Sequence, residues 1–201
     1  MTHGHGFVAG SENLNSMDAF LVSTGLVALA ETGDKTQLLA ILLAARYRKP
    51  WPIVAGILAA TLLNHACAGL LGQWLGHLAD PSWMRWVLAA SFLAMAVWAL
   101  VPDKMDEAGA GPGGRGVFVA TLIAFFLAEM GDKTQVATVA LAARYQDLVA
   151  VVAGTTLGMM LANVPAVWLG ERITRRLSLP VIRRLAALVF ALLGVATLLW
   201  P

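Results

Sequence analysis

Six charged side chains stand inside apolar stretches of the chain, in two copies of one short pattern. The first copy, ETGDKTQ, covers residues 31 to 37, and the second, EMGDKTQ, covers residues 129 to 135. Each copy carries a glutamate, an aspartate and a lysine, and a charged group at the centre of a membrane helix costs on the order of 3 kcal/mol. Ionisable residues kept at such a cost are usually functional, so these two motifs are the first candidates for chemistry.

The spacing of the charges predicts that they share a helix face. On a continuous helix, residues three and four positions apart lie one turn from each other, so Glu31, Asp34 and Lys35 should project together. The second motif repeats this spacing with Glu129, Asp132 and Lys133. The glycine within each motif, Gly33 or Gly131, lets another backbone approach closely, or lets the helix unwind locally and offer its carbonyls.

Oxygen atoms dominate the polar side chains of the two motifs. The candidate metal ligands are four carboxylates: Glu31, Asp34, Glu129 and Asp132. Supporting hydroxyl and amide groups come from Thr36, Gln37, Thr134 and Gln135. A ligand set made only of oxygen suits hard cations such as Ca²⁺ and Mn²⁺ and does not suit Cu(I).

The charges of the two motifs do not balance. Four carboxylates against the ammonium groups of Lys35 and Lys133 leave a formal charge of −2, which one divalent cation or two protons would neutralise. Clustered carboxylates in a medium of low dielectric constant take up protons when no cation is bound. Metal and protons should therefore compete for the same groups. The alternative is that each lysine only pairs with the glutamate four residues before it and stabilises the helix bundle.

The composition indicates that these motifs lie in a membrane protein. Of the 201 residues, 59% are hydrophobic and only 13% are charged, whereas soluble domains carry about 25% charged residues. The net charge of +2 comes from arginines and lysines in short loops between apolar spans, so it reflects topology, and we expect no nucleic-acid partner. The single cysteine excludes a disulfide within the chain, and no resident cofactor is expected.

Span lengths divide the chain into six predicted membrane helices, since a bilayer core needs about 20 apolar residues per helix. The predicted spans cover residues 18 to 43, 52 to 77, 83 to 101, 117 to 141, 147 to 169 and 181 to 200. We therefore predict an all-α membrane protein in which residues 1 to 17 form an N-terminal tail and residues 102 to 116 a cytoplasmic linker. The linker separates two three-helix halves, 18 to 101 and 117 to 201.

The two halves repeat each other in sequence. An offset of 98 residues carries the first motif onto the second, and the AARY at 44 to 47 onto the AARY at 142 to 145. Because each half has an odd number of spans, the second half should enter the membrane from the opposite side, as in the inverted repeats of secondary transporters. Such a repeat would bring the two motifs together near the bilayer midplane.

The distribution of basic residues sets the predicted orientation. With the N-terminus outside, only Arg85 and Arg144 fall in outer loops, and ten lysines and arginines fall in inner ones. The inner set is Arg46, Arg48, Lys49, Lys104, Arg115, Arg172, Arg175, Arg176, Arg183 and Arg184. Positive residues concentrate on the cytoplasmic side, so both termini are predicted to be non-cytoplasmic, in the cell membrane.

The duplicated motif resembles that of the Gdt family of cation/proton exchangers, the group that includes transmembrane protein 165 and bacterial manganese exporters. The family pattern is E-φ-G-D-[KR]-[TS], with φ apolar, once in each three-helix half. Residues 31 to 36 and 129 to 134 match it, except that Thr32 is polar at the φ position. The resemblance implies export of Mn²⁺, or of Ca²⁺, in exchange for protons. It also implies that the four motif carboxylates form the metal site.

Other polar and small residues in the spans have weaker interpretations. Asn64 and His65 in the second span, and Asn163 in the fifth, either line an ion path or hydrogen-bond neighbouring helices. Two GxxxG patterns, beginning at Gly72 and Gly154, predict close helix contacts within the bundle.

Two other functional classes remain open from the sequence. One is an exporter of a small solute such as an amino acid, which would need a wider pocket. The other is a membrane scaffold that transports nothing and whose ion pairs are structural. An enzyme is not expected, because no Ser or His stands beside the motif acids to act as nucleophile or base.

Overall fold

The computed structural model of the chain describes residues 5 to 78, 81 to 100, 116 to 169 and 179 to 199. These residues form eight α-helices and contain no strand, which confirms the all-helical prediction for the described part of the chain. The helices are α1 (His5–Glu31), α2 (Lys35–Tyr47), α3 (Pro50–Leu78), α4 (Pro81–Ala99), α5 (Val117–Glu129), α6 (Lys133–Tyr145), α7 (Leu148–Leu169) and α8 (Leu179–Leu199).

The predicted N-terminal tail differs from the structure, and the predicted linker falls almost entirely outside the described residues. α1 begins at His5, so most of the segment predicted as a tail, residues 1 to 17, is helical. The predicted linker lies outside the described residues except for Gly116, as do residues 200 and 201.

The surface of the bundle is that of a membrane protein. Within the described chain, two helices are long and apolar enough to cross a bilayer, over Pro50–His77 in α3 and Leu148–Trp168 in α7. Shorter apolar helical stretches cover Trp86–Val97, Val117–Glu129 and Ala187–Leu199. Many large apolar side chains are exposed on the outside of the bundle, whereas soluble monomers rarely expose large apolar patches.

The first and fourth predicted spans are each divided into two helices. α1 ends and α2 begins inside the first motif, and α5 ends and α6 begins inside the second. The expectation of a continuous helix with all three charges on one face is therefore wrong. Gly33 and Gly131 have φ angles of 82° and 72°, a left-handed conformation that favours glycine and that no α-helix contains. The local unwinding considered as the alternative is what occurs.

Contacts between the halves come in pairs related by the same offset of 98 residues. Gly56 of α3 packs against the carbonyl of Phe118 in α5, and Gly154 of α7 packs against the carbonyl of Phe20 in α1. A Cβ atom would lie 2.8 Å from that oxygen at Gly56 and 2.5 Å from it at Gly154, too close for any side chain. Each half therefore presents its second predicted span to the first predicted span of the other half.

The GxxxG patterns are confirmed as helix contacts within the bundle. Gly72 of α3 lies against Val139 of α6, and Gly158 of α7 lies against Thr24 of α1. Small residues let these backbones approach closely, which is how membrane helices gain packing energy in the absence of water.

Two apolar clusters surround this central packing. One cluster is built on Phe92 of α4 and Phe190 of α8, which meet residues of α1 and α6. The other is built on Phe125 of α5 and Ile57 of α3, which meet residues of α2 and α7. The third predicted spans of the two halves, α4 and α8, thus pack on each other, while α3 packs against α5 and α6, and α7 packs against α1 and α2.

Candidate functional site

The two helix breaks have the same local structure. In the first, the Gly33 N–H donates to Gln37 Oε1 at 3.0 Å, and in the second the Gly131 N–H donates to Gln135 Oε1 at 2.7 Å. Gln37 also donates from Nε2 to the carbonyl of Ala162 in α7 at 2.9 Å. Both glutamines, predicted as supporting ligands, thus use their side-chain oxygens to hold the unwound backbone.

Asp34 and Asp132 occupy the N-cap positions of α2 and α6. An aspartate at this position often accepts a hydrogen bond from its own helix, but neither side chain caps its helix here. Each carboxylate is instead turned to a lysine of the other motif.

The ion pairs cross between the halves. Lys133 Nζ lies 2.9 Å from Asp34 Oδ1, and Lys35 Nζ lies 3.1 Å from Asp132 Oδ1. The alternative in which each lysine pairs with the glutamate of its own motif is therefore not the arrangement found. The two pairs differ in burial, because the Lys133 side chain is 6% exposed and the Lys35 side chain 24%.

The two glutamates are fully buried, and neither forms an ion pair with another described residue. Glu31 accepts a hydrogen bond from the Thr36 hydroxyl at 2.6 Å, and Glu129 accepts one from the Thr134 hydroxyl at 3.1 Å. The second carboxylate oxygen, Oε1, of each glutamate has no hydrogen-bond partner among the described residues. Burying an acceptor without a partner costs about 1–3 kcal/mol, and more for a charged group, so both oxygens are available to a cation or a proton.

Three of the four motif carboxylates converge. Glu31, Glu129 and Asp132 each offer an oxygen, and these atoms lie within 4.8 Å of one another. All three residues are buried. Oxygen ligands at such separations can contact one central cation, since Ca²⁺ binds oxygens at about 2.3–2.6 Å. Asp34 stands outside this group of three and is held by Lys133.

The other polar residues singled out in the spans divide into two kinds. Asn64 donates from Nδ2 to the Phe126 carbonyl in α5 at 3.1 Å, and Asn163 donates to the Met159 carbonyl of its own helix at 3.1 Å. The Thr32 hydroxyl bonds back to the Ala28 carbonyl at 2.6 Å. By contrast, neither ring nitrogen of the buried His65 has a hydrogen-bond partner in the described structure.

Comparison with known proteins identifies the family. The family model described as "Divalent cation/proton antiporter GDT1" matches residues 19–107 and 117–200. A Vibrio cholerae serotype O1 protein named "Putative manganese exporter" is 52% identical over 182 residues, 90% of either chain. The GDT1-like protein sll0615 of Synechocystis is 30% identical over 205 residues, which cover 90% of this chain and 97% of its own length.

A more distant relative also matches most of this chain. GDT1-like protein 4 of rice, Oryza sativa subsp. indica, is 27% identical over 94% of this chain and 75% of its own. No solved structure matches the chain significantly. The family match covers most of the chain and includes both motifs, so the chain belongs to the GDT1 family of divalent cation/proton antiporters.

Proposed function

We propose that the chain exports Mn²⁺ across the cell membrane in exchange for protons, and that Glu31, Asp34, Glu129 and Asp132 form its transport site. The observation that carries the proposal is the pair of buried glutamates, each with one oxygen that has no partner among the described residues. The oxygens of Glu31 and Glu129 lie within 4.8 Å of each other and of an Asp132 oxygen.

The charge of the site supports exchange. The crossed ion pairs neutralise the two aspartates, which leaves two negative charges on the glutamates. One divalent cation or two protons would make the site neutral, and an empty ionised site is costly to enclose in low dielectric. If the site can be enclosed only when it carries metal or protons, it carries metal in one direction across the membrane and protons in the other. This coupled movement is exchange.

Alternating access requires two arrangements of the halves around the site. In our proposal the chain has six spans arranged as an inverted repeat, with both termini outside the cell. The first and fourth spans are the broken helices α1–α2 and α5–α6. The paired contacts of Gly56 and Gly154, and the crossed ion pairs, support this repeat, because each joins one half to the other at equivalent positions. Rocking of one half against the other would open the site to either side in turn.

The identity of the cation is supported by ligand chemistry and by a relative. Carboxylate and hydroxyl oxygens suit Mn²⁺ and Ca²⁺. The protein from Vibrio cholerae that shares 52% of its residues over 182 positions carries manganese export in its name. We propose Mn²⁺ as the principal substrate, with Ca²⁺ as the second candidate because the same oxygens bind it.

Transport into vesicles under an imposed pH gradient tests the proposal. The wild type should take up Mn²⁺ only with the gradient, and Glu31→Gln or Glu129→Gln should remove most of that uptake, since each removes a charge that the cation needs. Asp18→Asn is the matched control, because Asp18 is an exposed acid on the same helix as Glu31.

The result also separates the competing functions. Uptake of an amino acid in place of a metal would favour the small-solute exporter. A scaffold would show no metal uptake, and Asp34→Asn would then lower only its stability. Mn²⁺ uptake that survives both glutamate substitutions would contradict the proposed site.

A further inference from the structure

The two AARY segments, residues 44 to 47 and 142 to 145, have the same sequence but different surroundings. They end α2 and α6, which contact α7 and α3 of the opposite half. Ala142 of α6 is 0% exposed, whereas its counterpart in α2, Ala44, is partly exposed. The next alanine is likewise buried in α6 and exposed in α2. Because the segments are identical, the difference comes from how the two halves pack at either end of the bundle.

The end of the bundle at which α6 terminates is closed by contacts between the halves. In the proposed topology this is the outer end, and α2 terminates at the inner end. At the outer end, Gln73 of α3 donates from Nε2 to the carbonyl of Gln146 at 3.4 Å. A Cβ atom at Gly69 of α3 would lie 2.7 Å from Cδ1 of Leu148 in α7. Backbone and side chains therefore fill the outer end of the interface.

The equivalent positions at the inner end border a cavity of about 220 Å³. The described residues that line this cavity are Ala44, Arg48, Pro50, Val167 and Trp168. By the offset of 98 residues, Pro50 is the counterpart of Leu148, and Val167 is the counterpart of Gly69. The cavity therefore lies where the outer end has a close contact between the halves.

At the level of the motifs, by contrast, α2 and α7 are joined. Gln37 is 2% exposed, donates from Nε2 to the Ala162 carbonyl of α7 at 2.9 Å, and accepts from the Gly33 N–H through Oε1. Ala44 follows Gln37 by about two helical turns and borders the cavity. α2 is thus fixed to α7 beside the first break and separated from it at the inner end, so its far end can approach α7 by pivoting about this hydrogen bond.

We propose that the two AARY segments are the alternating gates of the transporter. Residues 44 to 47 close the inner end by packing on α7, while α2 pivots about the bond between Gln37 and Ala162, and residues 142 to 145 then separate from α3. This inference rests on the proposed transport function and names the parts that move. Alanines allow membrane helices to pack closely, so α2 already carries the residues that its closed position needs. Alternating access requires that one gate is closed while the other is open.

Cysteine labelling at two equivalent alanines tests the proposal. Ala44→Cys and Ala142→Cys would each be made in a Cys67→Ala background, which removes the one native cysteine, and treated in vesicles with N-ethylmaleimide, which reaches both membrane faces. Without Mn²⁺, Ala44→Cys should react at least about tenfold faster, because a minor open state is usually populated at about 10% or less. During Mn²⁺ uptake under a pH gradient, labelling of Ala142→Cys should rise and that of Ala44→Cys should fall.

The outcomes separate the gates from the transport function. Unchanged labelling at both positions in vesicles that take up Mn²⁺ would overturn the gates and leave the proposed function standing. Labelling that shifts between the two positions with the pH gradient, in a protein that takes up no Mn²⁺, would support the gates and contradict only the proposed substrate.

A disulfide across the outer gate tests the same motion in a second way. Gln73→Cys with Gln146→Cys, in the same background, replaces a contact present in the closed outer end. Oxidation should abolish Mn²⁺ uptake and a reductant should restore it, because the outer gate must open in every cycle. Gln73→Cys alone is the matched control, and the oxidant should leave its uptake unchanged. Undiminished uptake by the double variant with its disulfide formed would overturn the outer gate.

Discussion

Lys133 of the second motif lies 2.9 Å from Asp34 of the first, and Lys35 of the first motif pairs reciprocally with Asp132 of the second. Each half thus neutralises the aspartate of the other. The lysine and the aspartate of each motif therefore have their ion-pair partners in the other half. The glutamates of the two motifs, Glu31 and Glu129, are fully buried, and one oxygen of each lies within 4.8 Å of the other.

The two crossed ion pairs should differ in their contribution to stability. Lys133→Met leaves Asp34 in a site where that side chain is 0% exposed, and removal of one partner of a buried pair costs about 3–5 kcal/mol. Lys35→Met should cost less, because the Lys35 side chain is 24% exposed and water already screens it. Thermal unfolding of the two variants in detergent measures the difference. Equal losses, or a larger loss for Lys35→Met, would contradict the burial seen here.

A double-mutant cycle should locate the partner of Lys133. The coupling between Lys133→Met and Asp34→Asn should be about 0.5–3 kcal/mol, since residues in direct contact couple within that range. The coupling between Lys133→Met and Glu129→Gln should be smaller, although those residues are only four positions apart. The free energy of unfolding of the single and double variants gives both couplings. The reverse order would show that the pairs form within each motif.

The glycine of the second break should resist substitution for conformational reasons alone. At Gly131, where φ is 72°, a Cβ atom would meet nothing within 4 Å, so Gly131→Ala has no steric clash with neighbours. The left-handed backbone should nevertheless cost about 1–2 kcal/mol. Gly25→Ala is the matched control in the interior of α1, where a Cβ atom also meets nothing, and it should stabilise the helix by about 0.5–1 kcal/mol. A neutral or stabilising Gly131→Ala would mean that the break does not require its conformation.

Exchange should be electrically neutral. The crossed pairs leave two negative charges, so one divalent cation should exchange for two protons and no net charge should move. The initial rate of Mn²⁺ uptake at a fixed pH gradient should then not respond to a membrane potential set with potassium and valinomycin. A rate that rises with the potential would show that another group carries charge through the cycle.

Much of the arrangement could be predicted from the sequence because it depends on repetition and composition. The two motifs are identical at six of seven positions, and the apolar stretches between them have the length of membrane spans. An acidic site shared by two halves could therefore be inferred. The GxxxG contacts followed from the same reasoning, since small residues allow close helix packing. In the structure, one oxygen each of Glu31, Glu129 and Asp132 lie within 4.8 Å of one another.

The helix breaks and the crossed pairing could not be predicted with the same security. On a continuous helix, Glu31 would lie one turn from Lys35, and a glycine inside an apolar span is compatible with such a helix. The partner of each lysine depends on how the two halves pack, which no local pattern contains. In the sequence, the glycine before each aspartate was the one sign of a possible helix break. Its φ angle in the structure shows local unwinding at both positions.

Proton release on metal binding tests the central claim most directly, because it asks whether the same buried glutamates hold both ions. Mn²⁺ would be added to the purified protein in weakly buffered detergent solution, with a pH indicator to count protons and paramagnetic resonance to count bound metal. The account predicts about two protons released per Mn²⁺ bound, as expected when deprotonated ligands replace protonated ones, and loss of both signals in Glu31→Gln and Glu129→Gln. Binding of Mn²⁺ without proton release, or full binding in both variants, would contradict it.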